Sequence, residues 1–123
     1  MIVKQFKDHT KVDSKYCGQL RDILTDADHL ELSIAIAVNI EKTEAHYHND
    51  FEEIYFVLDG TILIELFEPK TDKKWTEQLS ENELCVITKG IHHRIQDYSE
   101  NNRLCIICVP PFNEKDEHLS DKI

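Results

Sequence analysis

His46 and His48 stand two apart in the stretch His46-Tyr47-His48-Asn49-Asp50-Phe51-Glu52-Glu53. On a strand both imidazoles therefore point to one face. Asn49 to Glu52 interrupt that strand, and a run from Glu53 to Asp59-Gly60 follows, rich in aromatic and β-branched residues. It reads as a second, well-buried strand. If the two strands pair, a carboxylate from Glu53 comes back beside the two histidines, with Glu52 its neighbouring competitor. Two neutral imidazoles and a carboxylate on one wall make a site for a divalent first-row metal. A further imidazole lies in Thr88-Lys89-Gly90-Ile91-His92-His93-Arg94-Ile95, where Gly90 allows a sharp turn into a new strand. Adjacent strand residues face opposite ways, so only one of His92 and His93 reaches the metal.

Together the two stretches resemble the two motifs of the cupin superfamily, as found in small single-domain cupins of the conserved-barrel type. The first motif, HxHxxxxE followed after six residues by G, is matched by His46, His48, Glu53 and Gly60. The second, PxGxxH, is matched by Gly90 and His93, with Thr88 where proline is usual. Ile40 and Asn82 stand where glycines often open the motifs, and Asp97 where asparagine often closes the second. These departures fall at turn or packing positions and not at ligands. The resemblance spans about residues 35–109 and implies four metal ligands: His46, His48, Glu53 and His93. It selects Glu53 over Glu52, which then points outward, and His93 over His92.

Three imidazoles and one carboxylate suit one divalent transition metal per chain: iron, nickel, manganese, cobalt or zinc. Four protein ligands on an octahedral ion leave two positions for a chelating substrate, or for a substrate atom beside water or dioxygen. Strand parity sets Tyr55 and Val57 on the side of Glu53, and Ile95 on the side of His93. The Tyr55 phenol is the candidate catalytic group, as a donor to substrate or an acid; a core tyrosine bonded to backbone is the plainer alternative. The outward side of the same strand carries Ile54, Phe56 and Leu58, too apolar for solvent, which points to a second layer or a homodimer contact. Small cupin-like domains commonly pair. Cupins with this ligand set resemble dioxygenases, decarboxylases, isomerases and lyases, so motif and fold leave the reaction open. The first reading is a dioxygenase-type oxidoreductase acting on a small oxygen-rich organic molecule bound to the metal. An isomerase, lyase or decarboxylase stands beside it. The alternative of a different class is a non-catalytic module that binds a sugar or effector.

The chain of 123 residues fits one domain and carries a net charge of −10, from 14 basic and 24 acidic side chains. That balance argues against nucleic acid or an anionic membrane surface as partner. No DNA-binding helix accompanies the motifs. The start, Met1-Ile2-Val3-Lys4, lacks the basic and apolar regions of a signal peptide. No apolar run approaches the ~20 residues of a membrane span. The expectation is a cytoplasmic protein. Cys17, Cys85, Cys105 and Cys108 read as reduced structural thiols. The spacing of Cys105 and Cys108 sends their sulfurs to opposite strand faces.

Taken in order, Ile2–Phe6 is an edge strand or flexible arm, and His9 a surface residue. A turn at Tyr16-Cys17-Gly18 feeds a short strand to Leu24, and Thr25 to His29 is a loop with no metal role. Leu30 to Ile40 is the clearest strand, with Leu30, Leu32, Ile34, Ile36, Val38 and Ile40 alternating with smaller or polar residues. Asp59-Gly60 signals a hairpin into Thr61–Phe67. Glu68 to Lys74 is an exposed turn, Trp75 to Leu79 its return strand, and Glu83–Ile87, His93–Asp97 and Leu104–Val109 are the last strands. Pro110-Pro111 ends the pairing. Short strands with turn signals between them give an all-β fold, a jelly roll or small barrel. With the resemblance this becomes a cupin-like double-stranded β-helix (jelly-roll) barrel over residues 1–112. Residues 113–123 follow as a polar tail, either disordered or wrapped on a partner.

Overall fold

A computed structural model of the chain describes residues 1–8, 12–14 and 18–123. The strands are β1 (Val12–Ser14), β2 (Gly18–Leu24), β3 (Ser33–Val38), β4 (His46–Tyr47), β5 (Glu52–Asp59) and β6 (Ile62–Glu68). They continue with β7 (Lys73–Leu79), β8 (Leu84–Ile87), β9 (His92–Tyr98), β10 (Arg103–Val109) and β11 (His118–Leu119). Among the described residues there is no α-helix. The expected all-β jelly roll is what forms. One sheet has the order β1-β2-β3-β10-β5-β8 and the other β11-β4-β9-β6-β7. Every pairing is antiparallel.

The core lies between the sheets. From the six-stranded sheet it takes Ala37, Tyr55, Val57, Leu104 and Ile106, and from the five-stranded sheet Ile62, Ile64, Leu66 and Ile95. Alternation does this: residues at even offsets along one strand share a face. On β3 the alternation runs opposite to its hydrophobicity. Ser33 and Ala37 are buried, whereas Ile34, Ile36 and Val38 are only half-buried and Leu30 is exposed. Small residues face inward here because Leu104 and Ile106 of the adjacent β10 already fill the interior.

Two pairings inferred from adjacency in sequence are absent. Asp59-Gly60 does not close a hairpin: β5 pairs with β10 and β8, and β6 with β7 and β9. The turn is a corner at which the chain changes sheet, with Gly60 at φ 78°. Likewise β4 pairs with β9 and β11, not with β5. Phe51, buried between them, marks the second crossing. A hairpin does form between β6 and β7, across Pro69 to Asp72.

The edge strand considered for Ile2–Phe6 does not form. Residues 1–5 form no strand, and a short 3-10 turn occupies Phe6–Asp8. The Arg21 guanidinium sits 4.3 Å from the Phe6 ring centroid. The readings for His9 and for the turn at Tyr16-Cys17 lie outside the described residues. Of the cysteines described, Cys108 is buried and Cys105 half-buried on the other face of β10, as their spacing requires. Burial pushes the Cys85 thiol up to about 11 and that of Cys108 higher still.

The polar tail is the largest departure. Glu114–Asp116 form a 3-10 turn capped by the Asn113 side chain, and His118–Leu119 add a strand to β4. Asp116 is buried. A charged segment short of apolar residues packs here because its polar groups find backbone partners on the β4–β5 crossing.

Candidate metal centre

His46, His48, Glu53 and His93 converge from both sheets, with one donor atom of each within 4.8 Å of every other. All four are at most 4% exposed. His46 lies directly opposite His93 on β4 and β9, and Glu53 reaches across the interior from β5. The convergence thus comes from closing the sandwich, not from pairing of β4 with β5. The imidazole centroids are 4.3 Å apart for His46 and His93, and 5.0 Å for His46 and His48.

Each imidazole is held through Nδ1. His46 Nδ1 lies 3.0 Å from the Glu44 carbonyl oxygen, His93 Nδ1 3.0 Å from that of Ile91, and His48 Nδ1 2.8 Å from that of Asp116. A carbonyl only accepts, so each Nδ1 carries the proton and donates. Each Nε2 is then the side left for a cation, the arrangement that orients metal-ligating histidines. His48 Nε2 and His93 Nε2 stand 3.0 and 3.1 Å from the same Glu53 oxygen. With Nδ1 already a donor, such a contact needs either a second proton on the ring or a cation between the groups. The donor set therefore fits a divalent metal.

The electrostatics differ among the four side chains. Burial lowers the His46 pKa to about 3, aided by His93, so this ring is neutral and ready to ligate. Burial also opposes charge on Glu53, but the hydrogen bonds from His48 and His93 outweigh it and hold the carboxyl well below its usual range. His48 is likewise penalised by burial, yet its bond to Glu53 raises it overall.

The neighbouring candidates stand apart from the cluster. Glu52 is half-buried and outside the cluster. His92 turns to the opposite face, stacked on Tyr47 at 4.2 Å with Nδ1 2.6 Å from Ser120 Oγ. His29 lies outside the cluster, its Nδ1 accepting the Glu31 backbone N–H. Tyr55 is buried on the inner wall, edge-on to His93 at 6.1 Å. Asp116 was not legible from sequence as part of the site; only Asn113, a good cap residue, hints at local order there.

Two sheets closed on a His/His/Glu/His cluster define a cupin-fold domain, and comparison with solved structures agrees. The chain superposes on an oxalate decarboxylase from Bacillus subtilis with TM-score 0.79 and 17% identity, covering 96% of this chain and 32% of that one. It matches a protein from Planctomyces limnophilus with TM-score 0.76 and 23% identity, over 97% and 96% of the two chains. Identities this low carry the fold alone. No protein-family model matches the chain. Among curated proteins it is 32% identical over 73 residues to the uncharacterized protein YdbB of Bacillus subtilis, 59% of this chain and 60% of that one. It is 38% identical over 65 residues to acireductone dioxygenase 2 of Coprinopsis cinerea, 50% of this chain and 32% of that one. The chain therefore matches less than two thirds of the length of either curated relative.

Proposed function

We propose that the chain is a metal-dependent cupin enzyme that acts on a small oxygen-rich molecule, with a dioxygenase-type oxidation as the favoured reaction. The observation that carries this reading is the set of three Nδ1-anchored histidines meeting Glu53 in a buried cluster. His46, His48, Glu53 and His93 would hold one divalent ion. When bound, it supplies Lewis-acid polarisation of a substrate oxygen and, for a redox-active metal, access to dioxygen chemistry. The oxalate decarboxylase of Bacillus subtilis, similar in fold, has Mn(II) centres, and a curated relative is a dioxygenase.

The chain's own residues narrow the substrate. The buried histidine and acidic side chains among the described residues are His46, His48, Glu53, His92, His93 and Asp116, with no buried lysine or arginine. Without a buried cationic side chain among the described residues, the site suits a neutral or singly charged chelator better than a small dianion. Val57, Ile95, Leu104 and Ile106 form a buried apolar wall in the core between the sheets. Tyr55, on that wall beside His93, is the residue assigned to proton transfer at its phenol oxygen. An isomerase or lyase would use the same residue.

A homodimer is part of the reading. On the outer face of the six-stranded sheet, Ile34, Ile107, Ile54 and Val86 form one cross-strand row. Ile36, Cys105, Phe56 and Leu84 form the next. Eight uncharged side chains together on a chain of net charge −10 favour a second copy of the same face as their cover. Reduced thiols at Cys85, Cys105 and Cys108 suit the cytoplasm.

The test is metal content of untagged protein by elemental mass spectrometry, beside a His46→Ala, His93→Ala double variant. About one equivalent per chain, lost in the variant, is expected. Oxygen uptake with enediol or catechol substrates then separates oxidation from Lewis-acid chemistry. Tyr55→Phe should slow turnover by about 10²–10⁴-fold while leaving metal content unchanged. No uptake of iron, nickel, manganese or zinc on reconstitution overturns the enzyme reading.

A further inference from the structure

The three histidines are not anchored alike. His46 and His93 bond to carbonyls two residues before them in sequence, at Glu44 and Ile91. His48 bonds to the carbonyl of Asp116, 68 residues away in sequence. We propose that residues 112–120 are a strap that completes the metal centre, with Asp116 as the positioning residue for His48. The inference rests on the metal-centre reading above.

Asp116 grips the site twice. Its carbonyl takes the His48 Nδ1–H, while its carboxylate accepts the backbone N–H groups of Asn49 at 3.0 Å and Asp50 at 2.8 Å. Those two residues begin the crossing from β4 to β5, so one side chain ties down the loop between ligands His48 and Glu53. The carboxylate is held in turn by His118 Nε2 at 3.0 Å.

The flanks of the strap reach β4, β3 and the same loop. His118 and Leu119 pair with Tyr47 and His46, and the Ser120 N–H donates to the Ala45 carbonyl. At the other end the Phe112 N–H donates to Ser33 Oγ, and the Phe112 ring meets Phe51 edge-on at 5.8 Å. Phe51 stacks on His48 at 4.2 Å. His48 is therefore fixed by a carbonyl on one edge and an aromatic on its face, both dependent on the C-terminal segment. Metal affinity is then set by this segment as well as by the four ligands, since an untethered imidazole loses its orientation and tautomer.

Co(II) titration of Asp116→Ala and Asp116→Asn tests this, with Asp28→Ala as the control. Asp28 also accepts a loop backbone N–H, from Thr25, but away from the cluster. Asp116→Ala should weaken Co(II) binding about 10–100-fold. Asp116→Asn, which keeps one acceptor oxygen, should weaken it less, and Asp28→Ala should stay within about twofold of wild type. In chelator-treated protein, two-bond ¹H–¹⁵N spectra should show His48 protonated at Nδ1 in wild type and that signal averaged or lost in Asp116→Ala. Equal Co(II) affinity in folded wild type and Asp116→Ala, or an unchanged His48 signal, overturns the strap. If wild type itself takes up no Co(II), the metal reading fails separately, and the His48 signal alone decides the strap.

Discussion

His46 and His48 sit two residues apart in one cluster yet have opposite acid–base character. Burial lowers His46 to about 3, whereas the hydrogen bond to Glu53 overrides burial and raises His48. The sign of each contribution to stability follows. His48 stabilises the chelator-treated fold fully below its unfolded value of 6.5, and that contribution is lost as pH rises through its raised folded value. Glu53, with its depressed value, stabilises above 4.5, and the contribution is lost only as pH falls through the lowered one. Between 6.5 and 4.5 both are constant. His46 is not: the unfolded chain takes a proton there that the folded chain refuses until about 3. Stability of chelator-treated protein should therefore fall on acidification across this window, at up to about 1.4 kcal/mol per pH unit. Urea unfolding at several pH values measures it, and His46→Gln should reduce the slope, leaving the share of His92, which burial also lowers. An equal slope in that variant would place the acid sensitivity elsewhere.

At the level of elements, the sheet-crossing corners put the ligands in place. Gly60 and Gly90 both have positive φ, 78° and 83°. Their surroundings differ. A Cβ on Gly60 would lie 2.5 Å from Ser99 Oγ and 3.1 Å from Asn102 Cβ, while one on Gly90 meets nothing within 4 Å. Ser99 Oγ accepts the Thr61 N–H at 2.9 Å, so rotating it away breaks a bond. Asn102 joins the end of β3 to the start of β10 through both the N–H and the carbonyl of Ile40. Gly60→Ala should cost about 2–4 kcal/mol, from left-handed strain plus the lost hydrogen bond, and Gly90→Ala about 1–2 kcal/mol from strain alone. Denaturant midpoints compare them, and equal losses would mean the Gly60 corner relaxes freely. The glycine positions were legible as turns because few residues tolerate positive φ. Their kind was not: a hairpin and a corner both demand it, and only the partners of β5 and β6 distinguish them.

For the whole molecule, the outer face of the six-stranded sheet leaves a run of apolar side chains facing water. Leu84 and Val86 are 55% and 51% exposed on its edge strand. If a second copy covers this face, Phe56→Glu should convert the dimer to monomer in sedimentation velocity and leave metal content unchanged, because Phe56 lies on the side of β5 opposite Glu53. A monomeric wild type at micromolar concentration would remove the dimer from the reading.

Much of this molecule could be read from the chain. Spacing placed His46 and His48 on one face, parity separated His93 from His92, and alternation marked most strands. These are local properties, set by the two-residue period of an extended backbone. Closing the sandwich decided the rest. It brought Glu53 to the histidines from the opposite sheet instead of along a shared ladder, and it turned the apolar side of β3 outward. It also laid Asp116 against His48 from the far end of the sequence. No local signal encodes such partners, because a buried polar group takes whatever acceptor the closed fold delivers to it.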